Sequence, residues 1–211
     1  MVASIIVCFA FFGQSVQAAT LTNVQDIMTR QLISTASNHE IRFVTPTGVD
    51  AASDTITITF ASGFSLAGID AADVLFTHGP TTGFETGETL SASAAAGVWG
   101  VGVSGQIVTF TPPTNALVGE IAVGDLVIVR IGTAAGAGAD RIVNPGSTNA
   151  YSTYIGGMFG DTGTFFIPIS SGDSLSVSVT VPTPTSEGST PCSGGGCGPG
   201  AATIPPPPPP P

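Results

Sequence analysis

The chain has 211 residues, with 14 acidic side chains set against 4 arginines and no lysine, for a net charge of −10. That balance excludes nucleic acid and anionic membrane as partners, because both need positive side chains to neutralise phosphate. Thr, Ser, Gly and Ala are abundant, and no cysteine occurs between Phe9 and Pro191. The surface should therefore be largely neutral and polar, and the body must hold together by packing and hydrogen bonds alone, unlike small disulfide-stapled scaffolds.

In chain order, MVASIIVCFAFFGQSVQAAT runs apolar from Ala3 to Phe12 apart from Ser4, turns polar at Gly13 and Gln14, and reaches small residues at Ala18 and Ala19. This is the pattern of a secretory signal cleaved after Ala18 or Ala19, with only the amino terminus supplying its positive charge. The apolar run is shorter than the ~20 residues of a membrane-spanning helix. The expected organisation is a signal over residues 1–18, a β domain over 19–181 and a tail over 182–211. A secreted or cell-surface location follows, with no membrane span after signal cleavage.

The next segment, NVQDIMTRQLIS (Asn23 to Ser34), admits two readings. Val24, Ile27, Met28 and Leu32 fall loosely at helical spacing, but an extended first strand is favoured because a β body needs its leading edge filled. HEIRFVT (His39 to Thr45) then alternates, with Ile41 and Phe43 inward and Glu40, Arg42 and Val44 outward. DTITITF (Asp54 to Phe60) places Ile56, Ile58 and Phe60 on one face and a threonine ladder on the other. SLAGIDAADVLF (Ser65 to Phe76) predicts one short helical turn near Ile69 to Ala72 before a strand resumes at Val74. VWGVGVS, GQIVTFT, GDLVIVRIG, TFFIPI and LSVSVTV (Leu175 to Val181) are further strands, and Pro168, which has no N–H, assigns TFFIPI to an edge or a bulge. Turn signals such as TPTG (45 to 48), NPG (144 to 146) and GDTG (160 to 163) separate them at short intervals. The pattern is that of an all-β, antiparallel β-sandwich of the immunoglobulin-like kind, followed by a disordered Pro/Gly-rich tail.

That tail, PTPTSEGSTPCSGGGCGPGAATIPPPPPPP, combines glycine freedom with a run of seven prolines that favours an extended rod of roughly 20 Å. Cys192 and Cys197 are spaced to close a small disulfide ring worth only about 2 kcal/mol, with intermolecular pairing and metal ligation as the competing readings. A proline rod reads as a connector, so another domain or surface protein is the expected partner through it.

Catalytic signatures such as GxSxG, HExxH and the Walker loop do not occur in the sequence. His39 and His78 each adjoin a turn and read as surface or turn histidines, and His39 and Glu40, being consecutive in a strand, must point to opposite faces. No cofactor is implied. Calcium is the one small ligand the turns would suit, through Asp70, Asp73, Asp161 and Asp173, although backbone capping explains the same residues. Trp99, the only tryptophan, reads either as core filler or, with Tyr151 or Tyr154, as a sugar-stacking platform.

The stretch ATLTNVQDIMTRQLISTASNHEIRFVTPTGVDAASDTITITFASGF, with the later VRIG, RIVNPGST and FFIPI segments, resembles uncharacterised secreted immunoglobulin-like β modules of bacterial surface proteins, in which a strand and a TPTG-like turn precede a threonine-rich strand. The resemblance implies extracellular display and supplies no catalytic residue. The expected function is a structural or adhesive, non-catalytic surface module. A carbohydrate-binding module, a self-assembling filament or surface-layer subunit, and a secreted hydrolase are the alternatives, and glycan binding and self-association are the corresponding partner modes.

Overall fold

A computed structural model describes residues 18–117, 119–135 and 138–172. The signal segment before residue 18, the LSVSVTV strand, Asp173 and the Cys192 and Cys197 pair lie outside these residues.

The described chain is built of strands: β1 (Thr22–Met28), β2 (Ala36–Ser37), β3 (His39–Val44), β4 (Ile56–Thr59), β5 (Val74–Gly79), β6 (Thr86–Gly87), β7 (Leu90–Ser91), β8 (Trp99–Ser104), β9 (Ile107–Thr111), β10 (Leu126–Ile131), β11 (Ile142–Val143), β12 (Asn149–Gly157) and β13 (Gly163–Ile169). Its only helical pieces are two single 3-10 turns, Ala71–Asp73 and Thr133–Ala135. The strands form a five-stranded sheet ordered β1-β3-β10-β5-β6 and a six-stranded sheet ordered β13-β12-β4-β9-β8-β7, with a small β11-β2 ribbon. The two sheets bury their facing sides against each other as a β-sandwich. Nearly all pairings are antiparallel, β7 with β8 being parallel.

Alternation in the sequence sets the faces. Ile41 and Phe43 of β3, Ile56 and Ile58 of β4, Val108 and Phe110 of β9, and Val127, Val129 and Ile131 of β10 are all buried in one core. Each such side chain contributes about 1.5–3 kcal/mol relative to exposure. Two aromatic groups pack in the interior, and the first joins the sheets. Phe76 of β5 lies 4.8 Å from Trp99 and 5.0 Å from Phe110, centroid to centroid, and Phe60 packs 5.5 Å from Phe64, which meets Tyr151 edge-on at 5.6 Å.

The 23–34 segment is extended in its first half, as favoured, and tertiary pairing explains why. Leu21 N–H donates to Thr162 O at one end of β13, and Ile33 N–H donates to Ser170 O at the other. Between these ties β1 crosses to pair with β3 in the opposite sheet. Pro168 sits on β13, an edge strand, where the missing donor breaks no ladder between two neighbours. The expected helical turn before β5 is the Ala71–Asp73 turn, closed by a capping box in which Asp70 accepts from Ala72 N–H and Asp73 accepts from Asp70 N–H.

The TPTG turn after β3 is held by a single buried carboxylate. Asp161, from the β12–β13 connection of the other sheet, accepts from Thr45 Oγ1 at 2.6 Å, from Thr47 N–H at 3.1 Å and from Thr47 Oγ1 at 2.8 Å. Gly48 takes φ +80°, and a Cβ there would stand 2.3 Å from Ile121 O, so the turn admits no side chain at that position.

Candidate functional site

The predicted site residues do not converge on one place. Trp99 is completely buried against Phe76, so it is core and not a platform. The reason is register: Trp99 leads β8 on its inward face, where an indole fills the space between sheets. Tyr151 is half-buried, with its hydroxyl donating to Ser147 O at 2.9 Å. Of the three aromatics, Tyr154 alone opens to solvent, at 43% exposure.

The acidic turn residues are engaged with their own chain. Asp73 accepts from Asp70 N–H through Oδ2 and from Asp140 N–H through Oδ1 at 2.9 Å, and Asp161 holds the TPTG turn. Among the described residues no group of three or more His, Cys, Asp or Glu side chains is placed to hold a metal ion.

His39 corrects the sequence expectation of a surface or turn histidine. It is buried, its Nδ1 lies 2.7 Å from Asp26 Oδ2, and its ring meets Phe60 edge-on at 5.6 Å. Glu40 does point to the opposite face, as strand geometry requires. The partner is Asp26, brought alongside by the β1–β3 register in which Met28 opposes His39 and Asp26 opposes Ile41. Nothing local to SNHEIRF marks this pairing; the only hint is that Asp26 shares a strand face with the apolar Val24 and Met28 in VQDIM.

His78 is half-buried at the end of β5, with Nδ1 3.1 Å from Asp125 Oδ2 and Nε2 3.0 Å from Glu88 Oε1. A neutral imidazole would turn a lone pair toward one of these carboxylates, so the geometry suits the doubly protonated ring. Burial opposes that charge, but the hydrogen bonds and charges of Glu88 and Asp125 outweigh it and hold the pKa above its ordinary value.

The two outward sheet faces are chemically different. On the five-stranded sheet, Arg42 Nε donates to Glu40 Oε1 and Arg130 Nε to Glu40 Oε2, each at 2.6 Å. Burial pushes the Glu40 carboxyl up, but the bonds and charges of Arg130 and Arg42 prevail and its pKa is lowered. Ile128 lies between Arg130 and Leu126 along β10, with Arg42 and Thr77 opposite on the neighbouring strands, and is almost fully buried although it is on the outer face. Beside this clamp runs a groove of about 460 Å³ lined by Asn23, Gln25, Arg42, Val44, Thr81 and Leu126.

The outer face of the six-stranded sheet is the candidate functional surface. The register aligns Thr164, Tyr154, Thr59, Ile107 and Ser104 in one row across β13, β12, β4, β9 and β8, and Gly156, Thr57, Thr109 and Gly102 in the next. Ser152, Phe166 and Pro168 continue the same face. None of these residues is charged. Tyr154, Phe166 and Ile107 are 43%, 66% and 38% exposed. The Tyr154 ring covers Gly156, where a Cβ would stand 2.6 Å from Tyr154 Cε1. It therefore lies along the sheet and does not stand up from it.

Fold and surface together define an antiparallel β-sandwich with one charge-clamped face and one uncharged face. Neither a family model nor a curated protein matches the chain. Among solved structures, BslA, described as a bacterial hydrophobin, is similar at 12% identity and a TM-score of 0.41, over 72% of this chain and 98% of that one. The pilus 2b backbone protein of group B streptococcus is similar at 14% identity and a TM-score of 0.36, over 63% of this chain and 51% of its own. A third, the structure of manganese lipoxygenase of Gaeumannomyces graminis with a partial zonadhesin of Komagataella pastoris, is similar at 8% identity and a TM-score of 0.35, over 71% of this chain and 47% of that one.

Proposed function

We propose that the protein is a non-catalytic structural module of the extracellular surface, which presents the outer face of its six-stranded sheet to another macromolecule. The observation that carries this reading is that face: a hydroxyl-rich surface without a charged side chain on a chain of net −10. Exposed apolar groups that neighbour one another in a polar surface mark interaction sites, and Tyr154 and Phe166 are diagonal neighbours on this face, with Ile107 further along the Tyr154 row. The signal-like leader supports display outside the cell, and the proline-rich tail supports its role as a connector to a further domain or surface partner.

The test is protease treatment of intact host cells, following the full-length chain. Degradation before lysis supports display, and protection until lysis overturns it. A Thr57→Asp, Thr109→Asp double variant that keeps the wild-type melting temperature should lose retention on the cell surface; undiminished retention would remove the uncharged face from the reading.

A further inference from the structure

We infer that the Tyr154 row is a binding site for a neutral polysaccharide, a chain of uncharged sugars laid across the strands. This deepens the reading of the uncharged face as the presenting surface and rests on it. Three features select the ligand class.

The first is the aromatic ring. Sugar rings carry an apolar face of C–H groups that packs on an aromatic ring lying flat and open to solvent, and the Tyr154 ring lies on Gly156 in that orientation. Glycine at 156 is what lets the ring lie down. Phe166, diagonal to Tyr154 through the Tyr154–Thr164 and Ser152–Phe166 pairs, supplies a second exposed ring on the same face.

The second is the hydroxyl array. Thr164 and Thr59 flank Tyr154 on its two neighbouring strands, and Thr57 and Thr109 form the adjoining row. Each hydroxyl is one donor and two acceptors on a rotor, which suits the mixed donor and acceptor edge of a sugar. Thr164 and Ser104 mark the ends of a row five strands wide. At about 4.8 Å between strands the row runs roughly 19 Å, room for several sugar units.

The third is charge. An acidic or sulfated glycan would meet no cation on this face and a net −10 chain around it. An uncharged polymer meets neither attraction nor repulsion, so recognition rests on stacking and hydrogen bonding and is insensitive to salt.

The test is co-sedimentation of the full-length chain with particles of β-1,4-glucan, β-1,3-glucan and chitin, at low salt and at high salt. The expected result is saturable binding to at least one of the three, unchanged by salt. Tyr154→Ala should weaken that binding about tenfold. Gly156→Ala should weaken it while retaining the tyrosine, by lifting its ring, and Tyr154→Phe should keep it; matched melting temperatures exclude misfolding. No binding to any particle, or Tyr154→Ala binding like wild type, overturns the inference. So does concentration-dependent self-association abolished by Tyr154→Ala, which would make a second copy of this chain the occupant of the face. Failure here together with degradation on intact cells would remove the ligand class and leave the displayed module standing.

Discussion

The two outer faces of this sandwich are made by the same device, alternation along a strand, yet they differ in chemistry. On the five-stranded sheet the outward positions of β3 and β10 carry Glu40, Arg42 and Arg130, which bond to one another and cover Ile128. On the six-stranded sheet the outward positions of β4 and β9 carry threonine and isoleucine and leave a tyrosine ring open. The lesson is that an outward face whose charges pair with their own neighbours is engaged within the fold, whereas one built of uncharged side chains leaves its aromatic rings open to solvent.

The largest effect should come from cutting the tie between the sheets. Asp161→Ala would leave Thr45 and Thr47 without their buried acceptor and free the TPTG turn, at a cost of about 3 kcal/mol measured by urea denaturation. A change well under 1 kcal/mol would show that the turn is held by its glycine and not by the carboxylate.

Next comes the charged clamp. Glu40→Ala leaves two arginines facing each other beside Ile128 and should cost about 1–2 kcal/mol, more than an exposed ion pair because the group is half-buried. Its pH dependence has a defined sign. A carboxyl whose folded pKa is depressed adds stability that is present above its unfolded pKa and lost as pH falls through the folded value. Glu40→Gln should therefore reduce the steepness of acid unfolding, and an unaltered acid limb would separate the clamp from acid stability.

His78 acts in the opposite sense. Its folded pKa is raised, so its contribution is fully present below the unfolded pKa and lost as pH rises through the folded value. Melting temperatures of wild type should fall across the neutral range by more than those of His78→Gln, and parallel curves would contradict the protonated bridge between Glu88 and Asp125. The smallest effect on stability belongs to the other face: Tyr154→Ala should change unfolding free energy by only about 0.5 kcal/mol, as for an exposed position. A loss several times larger would make Tyr154 a structural side chain and blur the contrast between the faces.

Much of this was legible in residue order. DTITITF and HEIRFVT announce both their strands and their faces, because a side-chain period of two is a property of any extended chain. The capping box at Asp70 and Asp73 and the edge position of Pro168 follow from equally local chemistry. His39 was misread as a surface or turn residue because its environment is made by β1, whose partner strand and register no local pattern specifies. Trp99 was readable as core, and Tyr151 and Tyr154, three apart in β12, had to point to opposite faces; which of those faces is the core was settled by the tertiary packing of Phe64 against Tyr151.

The sequence by itself determined that this protein is an acidic, strand-built body with an apolar inner side, because charge and alternation are fixed by residue order. Only the tertiary structure decided which outward residues meet: that Glu40 finds two arginines, that Asp26 finds His39, and that Thr164, Tyr154, Thr59 and Ile107 fall in one row. The physical reason is that these neighbours lie on different strands, and cross-strand register is set by the packing of the whole core and not by any one segment.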